Sequence, residues 1–385
     1  METSLIQWGD LVHPAVPHVT GRAPLTGRVA TAIEHIEKAI GRRGDSVARH
    51  APSAGAIYPY EVLLCRRDGG VPALVDLARR RLVVGDDFPT DEPEYLALLV
   101  GRPWLSMRRY GPRGFLYHLV DSGHALLNLA LLSRRHGWWE SPGGVTVGAL
   151  GQGRVPLAAG LIAAHASSTS RRWSLVSTDT GELECRSEYE WSVDRTNPPA
   201  PPHPIGVDGL GREVRDLAAH LPQRKSAKTF VAGSGKPDAH AILRRAVALA
   251  REALADLRLE VPGIHVVERR ALLDTVTDND LLNGLAGQDN LVGADAFVVI
   301  SLPEFGDEGE IDARRQRLLI SAGVIGQIVY LVCARHGLGV TGVGGIDPTF
   351  WNTHIARSQH AVYLVAAGRS VASDKADVLS AGAHG

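Results

Sequence analysis

The chain has 385 residues, 44% of them hydrophobic and 22% charged. At about 150 residues per domain that is apolar material for two globular domains. Its 41 basic and 42 acidic residues leave a net charge of −1, which excludes an overall electrostatic drive toward nucleic acid or an anionic membrane. Three cysteines (Cys65, Cys185, Cys333) lie far apart, so neither a disulfide framework nor a zinc site is expected, and a reducing, cytoplasmic setting fits them.

The opening METSLIQWGDLVHP lacks a basic start and a continuous apolar stretch, so it does not read as a secretory signal. Apolar spacing predicts a first helix over 28–41. A run of small residues follows, Pro52-Ser53-Ala54-Gly55-Ala56, where a flat ligand or a second backbone can approach closely; it leads into a predicted strand over 59–66. A helix over 71–80, a strand over 114–120 and a long apolar helix over 122–136 come next. Residues 196–205, TNPPAPPHPI, hold five prolines in ten positions and read as an extended linker. Beyond it lies Arg224-Lys225-Ser226-Ala227-Lys228, whose cations and hydroxyl can hold a phosphate, although most such runs are solvated surface. A helix over 238–256, strands over 262–267 and 295–301, and a helix over 321–336 follow. The glycine-rich Gly337–Gly345 then precedes a final strand over 361–367, Gly368-Arg369, and a small polar tail from Val371.

Helices and strands alternate without a βαβ beat, which points to an α+β fold. The apolar runs near 125–132 and 324–334 are too short to span a bilayer. No histidine or acidic spacing suits a metal, and His136 and His336 fall in last helical turns, where an imidazolium meets the helix dipole favourably. The two longest apolar helices share a text: Gly123, His136 and Gly137 recur as Gly323, His336 and Gly337, all at one offset. A period that long means duplicated domains, not a solenoid. The expected division is a first domain over 1–195, the linker 196–205, a second domain over 206–370 and a flexible tail over 371–385.

Together these motifs resemble the flavin-dependent nitroreductase superfamily, and within it the azoline dehydrogenases that mature thiazole- and oxazole-containing peptides. Pro52–Pro59 resembles that branch's PSAGA-x-x-P stretch. Arg109-Tyr110-Gly111, Tyr117 and Ser122-Gly123-His124-Ala125 resemble its KYG and AGHA region. Arg224–Lys228 resembles the R-x-S-x-K start of a nitroreductase domain, Gly337–Gly345 its GLG…GG passage, and Gly368-Arg369 its last strand.

The resemblance implies two tandem nitroreductase-like domains forming an intramolecular pseudo-dimer, with FMN between them. Its cofactor-binding residues would be Pro52, Ser53, Ala54 and Gly55 from the first half. The second half would add Arg224, Lys225, Ser226, Lys228, Gly339, Gly342, Gly344, Gly345 and Arg369. The first half shows no R-x-S-x-K start and reads Gly137-Trp138-Trp139 in place of GLG, while Leu259–Gly263 has no PSAGA, so one complete site is expected. The implied reaction is oxidation of a peptide azoline to an azole, with Tyr110, Arg109 and His124 as catalytic candidates. A precursor peptide and a cyclodehydratase complex would be partners; nucleic acid and membrane would not. Arg109 stands where the family has lysine, and arginine stays charged and cannot act as a general base. An NAD(P)H-dependent nitro or quinone reductase, and a degenerate scaffold subunit, are the alternatives.

Overall fold

Each half of the chain builds one β-sheet with helices packed against it. The computed structural model describes residues 19–43, 48–66, 72–85, 88–132, 155–164, 167–178, 210–233, 238–303 and 313–371. The first sheet contains β1 (Val19–Gly27), β2 (Tyr60–Arg66), β3 (Ala73–Asp76), β4 (Arg81–Val84), β5 (Glu94–Gly101), β6 (Val155–Ala163) and β7 (Ser168–Thr178). Its strand order is β1-β7-β4-β3-β2-β5-β6, antiparallel throughout except for β4 beside β7. Helix α1 (Arg28–Ile40) packs on it through Val29, Ile33, Ile36 and Ile40, an i, i+3, i+4 stripe. The second sheet is β10-β11-β9-β8, built from β8 (Gly263–Glu268), β9 (Ala296–Pro303), β10 (Gly339–Val343) and β11 (Gln359–Gly368).

The two sheets share a three-stranded core. In the first, Ala97 of β5 lies between Leu64 of β2 and Gly160 of β6. In the second, Val299 of β9 lies between His265 of β8 and Leu364 of β11. The topology therefore recurs at nearly the offset that relates Gly123 to Gly323, which is consistent with a tandem arrangement.

Helices α2 (Pro103–Tyr110) and α3 (Arg113–Leu132) follow β5. The second half supplies α4 (Arg212–Asp216), α5 (Ala239–Asp256), α6 (Arg269–Leu273), α7 (Asp278–Gly284), α8 (Asp289–Val292), α9 (Ala313–Arg335) and α10 (Pro348–Trp351). α3 crosses α9 at two glycines. A Cβ on Gly123 would overlap the Ile320 carbonyl, and one on Gly323 would overlap the Val120 carbonyl. Glycine alone allows this approach, and the reciprocal contacts join the halves back to back. The stretch Arg314–Arg335 is long and apolar enough to cross a bilayer by composition, yet 89% of that window is buried inside the protein, where it forms the core.

Two expected elements differ. Where a helix was expected over 71–80, residues 72–80 form β3 and a turn: Ala73, Val75 and Leu77 are buried at period two. The Asp76 carboxylate accepts the Arg79 amide at 3.0 Å and pairs with Arg81, which closes the turn. Residues 114–120 belong to α3, not to a strand. Gly114 lets α3 fold against the Met107 amide of α2, and that packing overrides the β propensity of Phe115, Tyr117 and Val120. The linker 196–205, the tail beyond 371, and His136, Gly137, Trp138, Trp139 and Cys185 lie outside the described residues.

Candidate functional site

The loop before β2 is held in a rare backbone conformation. Gly55, Ala56 and Tyr58 all have φ between 53° and 60°, a region that non-glycine residues enter at a cost of order 1–3 kcal/mol each. Hydrogen bonds hold it there. The Ser53 hydroxyl donates to Asp121 Oδ2 at 2.6 Å, the Ala54 amide donates to the same carboxylate at 3.1 Å, and the Tyr58 amide donates to Ser53 Oγ at 2.8 Å. Beyond Tyr58, the Arg49 amide donates to the Tyr58 hydroxyl at 2.8 Å, with the Arg49 guanidinium 4.4 Å over the Tyr58 ring. Gly55 faces the end of α2: a Cβ there would lie 2.5 Å from the Tyr110 hydroxyl and 3.0 Å from Arg109 Nη1. Pro52, Ser53 and Ala54 are half-buried, and Gly55 is exposed.

The basic run of the second half reaches this loop. Arg224 is 3% exposed, and its Nη2 donates to the Arg49 carbonyl at 2.8 Å. Its own carbonyl accepts from Arg43. Its Nε and Nη1 have no partner among the described residues, and its guanidinium lies 5.3 Å from the Tyr330 ring centre. Burial holds its pKa below the ordinary value, with Arg43 adding to the effect, but a guanidinium remains charged. A buried cation without a counter-charge is costly. His50 beside it does not help: burial lowers its pKa, so it is neutral at working pH.

Ser226 hydrogen-bonds the Tyr330 hydroxyl at 3.0 Å, and that hydroxyl accepts the Gly342 amide at 2.7 Å. The Ala227 amide donates to the Val340 carbonyl of β10, and Val231 to the Arg369 carbonyl, so the run lies beside Gly339–Val343 and the end of β11. Lys225, Lys228 and Arg369 are exposed. Gly339 backs onto Ser370, and a Cβ at Gly342 would overlap the Tyr363 hydroxyl. At Gly344 a Cβ would lie 2.6 Å from the Tyr117 ring, which packs edge-on against Tyr110 at 5.1 Å. Gly345 has its carbonyl held by Gln288 at 2.7 Å. The structure thus gathers Pro52–Gly55, Arg109 and Tyr110 of the first half with Arg224, Ser226, Gly342 and Gly344 of the second.

His124 stands apart from the loop. It is 1% exposed at the α3–α9 crossing, with Nδ1 3.2 Å from Gln327 Oε1 and Nε2 3.1 Å from the Tyr363 hydroxyl. Gln327 Oε1 can only accept, so Nδ1 carries the proton and Nε2 accepts from Tyr363. Burial pushes its pKa down to about 3, which leaves it a neutral member of a buried network. That network continues through Gln327 and Asn128 to the Ala39 carbonyl. Tyr110 is half-buried, and burial raises its phenol pKa, so it is protonated at neutral pH.

Sequence reasoning missed Asp121, which is 5% exposed and whose pKa burial pushes up to about 7. Its signal was a single acidic residue in the apolar run 114–132. Arg43 and Tyr330 were missed too, since they meet Arg224 and Ser226 only across more than a hundred residues.

No protein-family model matches the chain, and a search of curated proteins returns no match. Solved structures do match. A crystal structure of a protein from Anabaena variabilis described as a nitroreductase superposes with a TM-score of 0.55 at 15% identity, covering 95% of each chain. A nitroreductase family protein from Clostridium novyi aligns over 42% of this chain and 88% of its own at 17% identity, with a TM-score of 0.31. The NADPH:FMN oxidoreductase from Vibrio harveyi aligns over 40% of this chain and 69% of its own at 13% identity, with a TM-score of 0.30. The mixed α+β topology and the end-to-end superposition on the Anabaena protein agree: this chain has the nitroreductase fold along nearly its whole length.

Proposed function

We propose that the chain is an FMN-dependent oxidoreductase with one flavin site per chain, assembled from both halves, that oxidises peptide azolines to azoles. One observation carries the flavin assignment: the Arg224 guanidinium is buried beside the strained loop with two nitrogens unpartnered and no carboxylate bound to it among the described residues. A phosphate monoester supplies the missing charge and acceptors, so the residues present fit FMN. Arg224, with Ser226, Lys225 and Lys228, would hold the phosphate. The glycines of 339–345 and the Pro52–Gly55 loop would bound the ring from opposite halves, with Arg369 at the margin.

Bound FMN would supply the two-electron acceptor, which no side chain here can replace. The chain's own residues position and manage protons. Tyr110, protonated at neutral pH, is suited to relay a proton at its hydroxyl; as an unassisted base it is weak. Arg109, exposed beside it, would orient substrate or balance charge. His124, closed at both ring nitrogens, would fix the crossing of α3 and α9 that frames the site. The azoline substrate follows from the PSAGA and Arg-Tyr-Gly motifs, and with it a precursor peptide and a cyclodehydratase as partners. The free, buried thiols of Cys65 and Cys333 suit a reducing compartment.

A second reading on the same site is an NAD(P)H-dependent nitro or quinone reductase, favoured by the description of the Anabaena protein, which superposes end to end, as a nitroreductase. The deciding experiment is the visible spectrum of the purified protein, mixed first with NADPH and then with an azoline peptide. Loss of two hydrogens from the peptide, with flavin indifferent to NADPH, supports the first reading. Rapid bleaching by NADPH with the peptide unchanged supports the second. A colourless protein that takes up no FMN refutes both.

A further inference from the structure

We infer that Asp121 is a positioning residue for the flavin site: through Ser53 it holds the loop whose far end orients the Arg224 guanidinium. This rests on the FMN reading above. The inference begins from α3, which buries one carboxyl at its centre, among apolar side chains and the neutral polar groups of His118, His124 and Asn128. A leucine would suit that position better for packing alone. Asp121 has no ion-pair partner among the described residues. Its hydrogen bonds among the described residues are all with the loop, from Ser53 Oγ and the Ala54 amide.

The chemistry of the loop requires such a group. Ser53 Oγ accepts the Tyr58 amide and must therefore send its own proton elsewhere. The Ala54 amide needs an acceptor as well. A carboxylate offers two oxygens and no donor, so it satisfies both at once. From Ser53 the connection continues without a break: Tyr58 amide to Ser53, Arg49 amide to the Tyr58 hydroxyl, Arg224 Nη2 to the Arg49 carbonyl. A buried carboxyl of the first half is thereby tied to the unpaired guanidinium of the second. An asparagine at 121 keeps the shape but offers a single acceptor oxygen and turns an amide donor toward Ser53 or Ala54.

The test is FMN affinity of the full chain, read by quenching of flavin fluorescence at pH 8, for wild type, Asp121→Asn, Tyr58→Phe and the double variant. Tyr58→Phe keeps the ring under Arg49 but removes the hydroxyl that accepts the Arg49 amide, so it cuts the same connection from a position outside α3. Arg224→Ala is the control for the site. Each single variant is expected to weaken FMN about tenfold. The double should be little worse than the weaker single, because both cut one chain. Melting of the flavin-free single variants should stay near wild type, which separates positioning from a general loss of structure. Wild-type affinity in Asp121→Asn or in Tyr58→Phe, with Arg224→Ala impaired, overturns the role of Asp121 and leaves the FMN reading standing. Losses that simply add in the double also overturn it. Unchanged FMN binding in Arg224→Ala overturns the FMN reading itself.

Discussion

Tyr110 and Asp121 show how much one side chain's surroundings decide. The Tyr110 hydroxyl sits where a Cβ on Gly55 would intrude, on the seam between the halves. Removing only the hydroxyl leaves the ring packed on Tyr117, so Tyr110→Phe should retain flavin. Loss of a general acid–base group typically costs 10²–10⁴-fold, and single-turnover oxidation of an azoline peptide should show a loss in that range. Asp121 makes a prediction about pH. Its folded pKa of about 7 lies above the ordinary 3.8 because burial disfavours the charged form, against the pull of Ser53 and Ala54. Between about pH 4 and 7 the folded chain therefore holds a proton that the unfolded chain has released. Stability from this group falls as pH rises through that window. Asp121→Asn removes the dependence. The urea midpoint of the variant relative to wild type should rise between pH 5 and pH 8, and a constant difference would show that the carboxyl does not titrate there.

At the scale of elements, the sequence was legible where one local rule acted alone. The helix over 28–41 and the strands over 59–66, 262–267, 295–301 and 361–367 were found within one to two residues at their ends, because an apolar stripe marks the helix and short apolar, β-branched runs mark the strands. It failed where packing overrode propensity. Residues 114–120 carry aromatic and β-branched side chains, yet Gly114 docks them onto α2 as the start of α3. Residues 71–80 carry helix formers, yet Asp76 closes a turn. For the site, the small-residue loop and the basic run were both legible as motifs. Their meeting was not, because the Arg224–Arg49 bond joins positions 175 apart. The α3–α9 crossing gives a prediction of its own. Gly123→Leu must force the helices apart at the Ile320 carbonyl, and overpacking of this kind costs about 1–3 kcal/mol or more. Chemical denaturation should show that loss, and Gly323→Leu should match it, since the two glycines make equivalent contacts.

At the scale of the whole molecule, the shared three-stranded cores and the facing glycines agree with the repeated text read from the sequence. The two halves are unequal in their chemistry. Ser53 and Gly55 have no counterpart in Leu259–Gly263, which runs directly into β8. Saturated protein should consequently hold one FMN per chain, counted by flavin absorbance after denaturation against protein concentration. Two per chain would show that the other interface has kept a working site.

The Gly123–Gly323 crossing also restricts how anything enters. Backbones that touch at a carbonyl leave no clearance for sliding, and separating them would expose the apolar core that both helices line. The halves are thus expected to act as one rigid frame, with no jaw to open between them. Admission must then come from a small moving part. The bend between α2 and α3 is suited to this, because Gly111 at the bend has φ of 60° and open space where a side chain would stand. That bend carries Arg109 and Tyr110, so the residues proposed to meet the substrate would also be its gate.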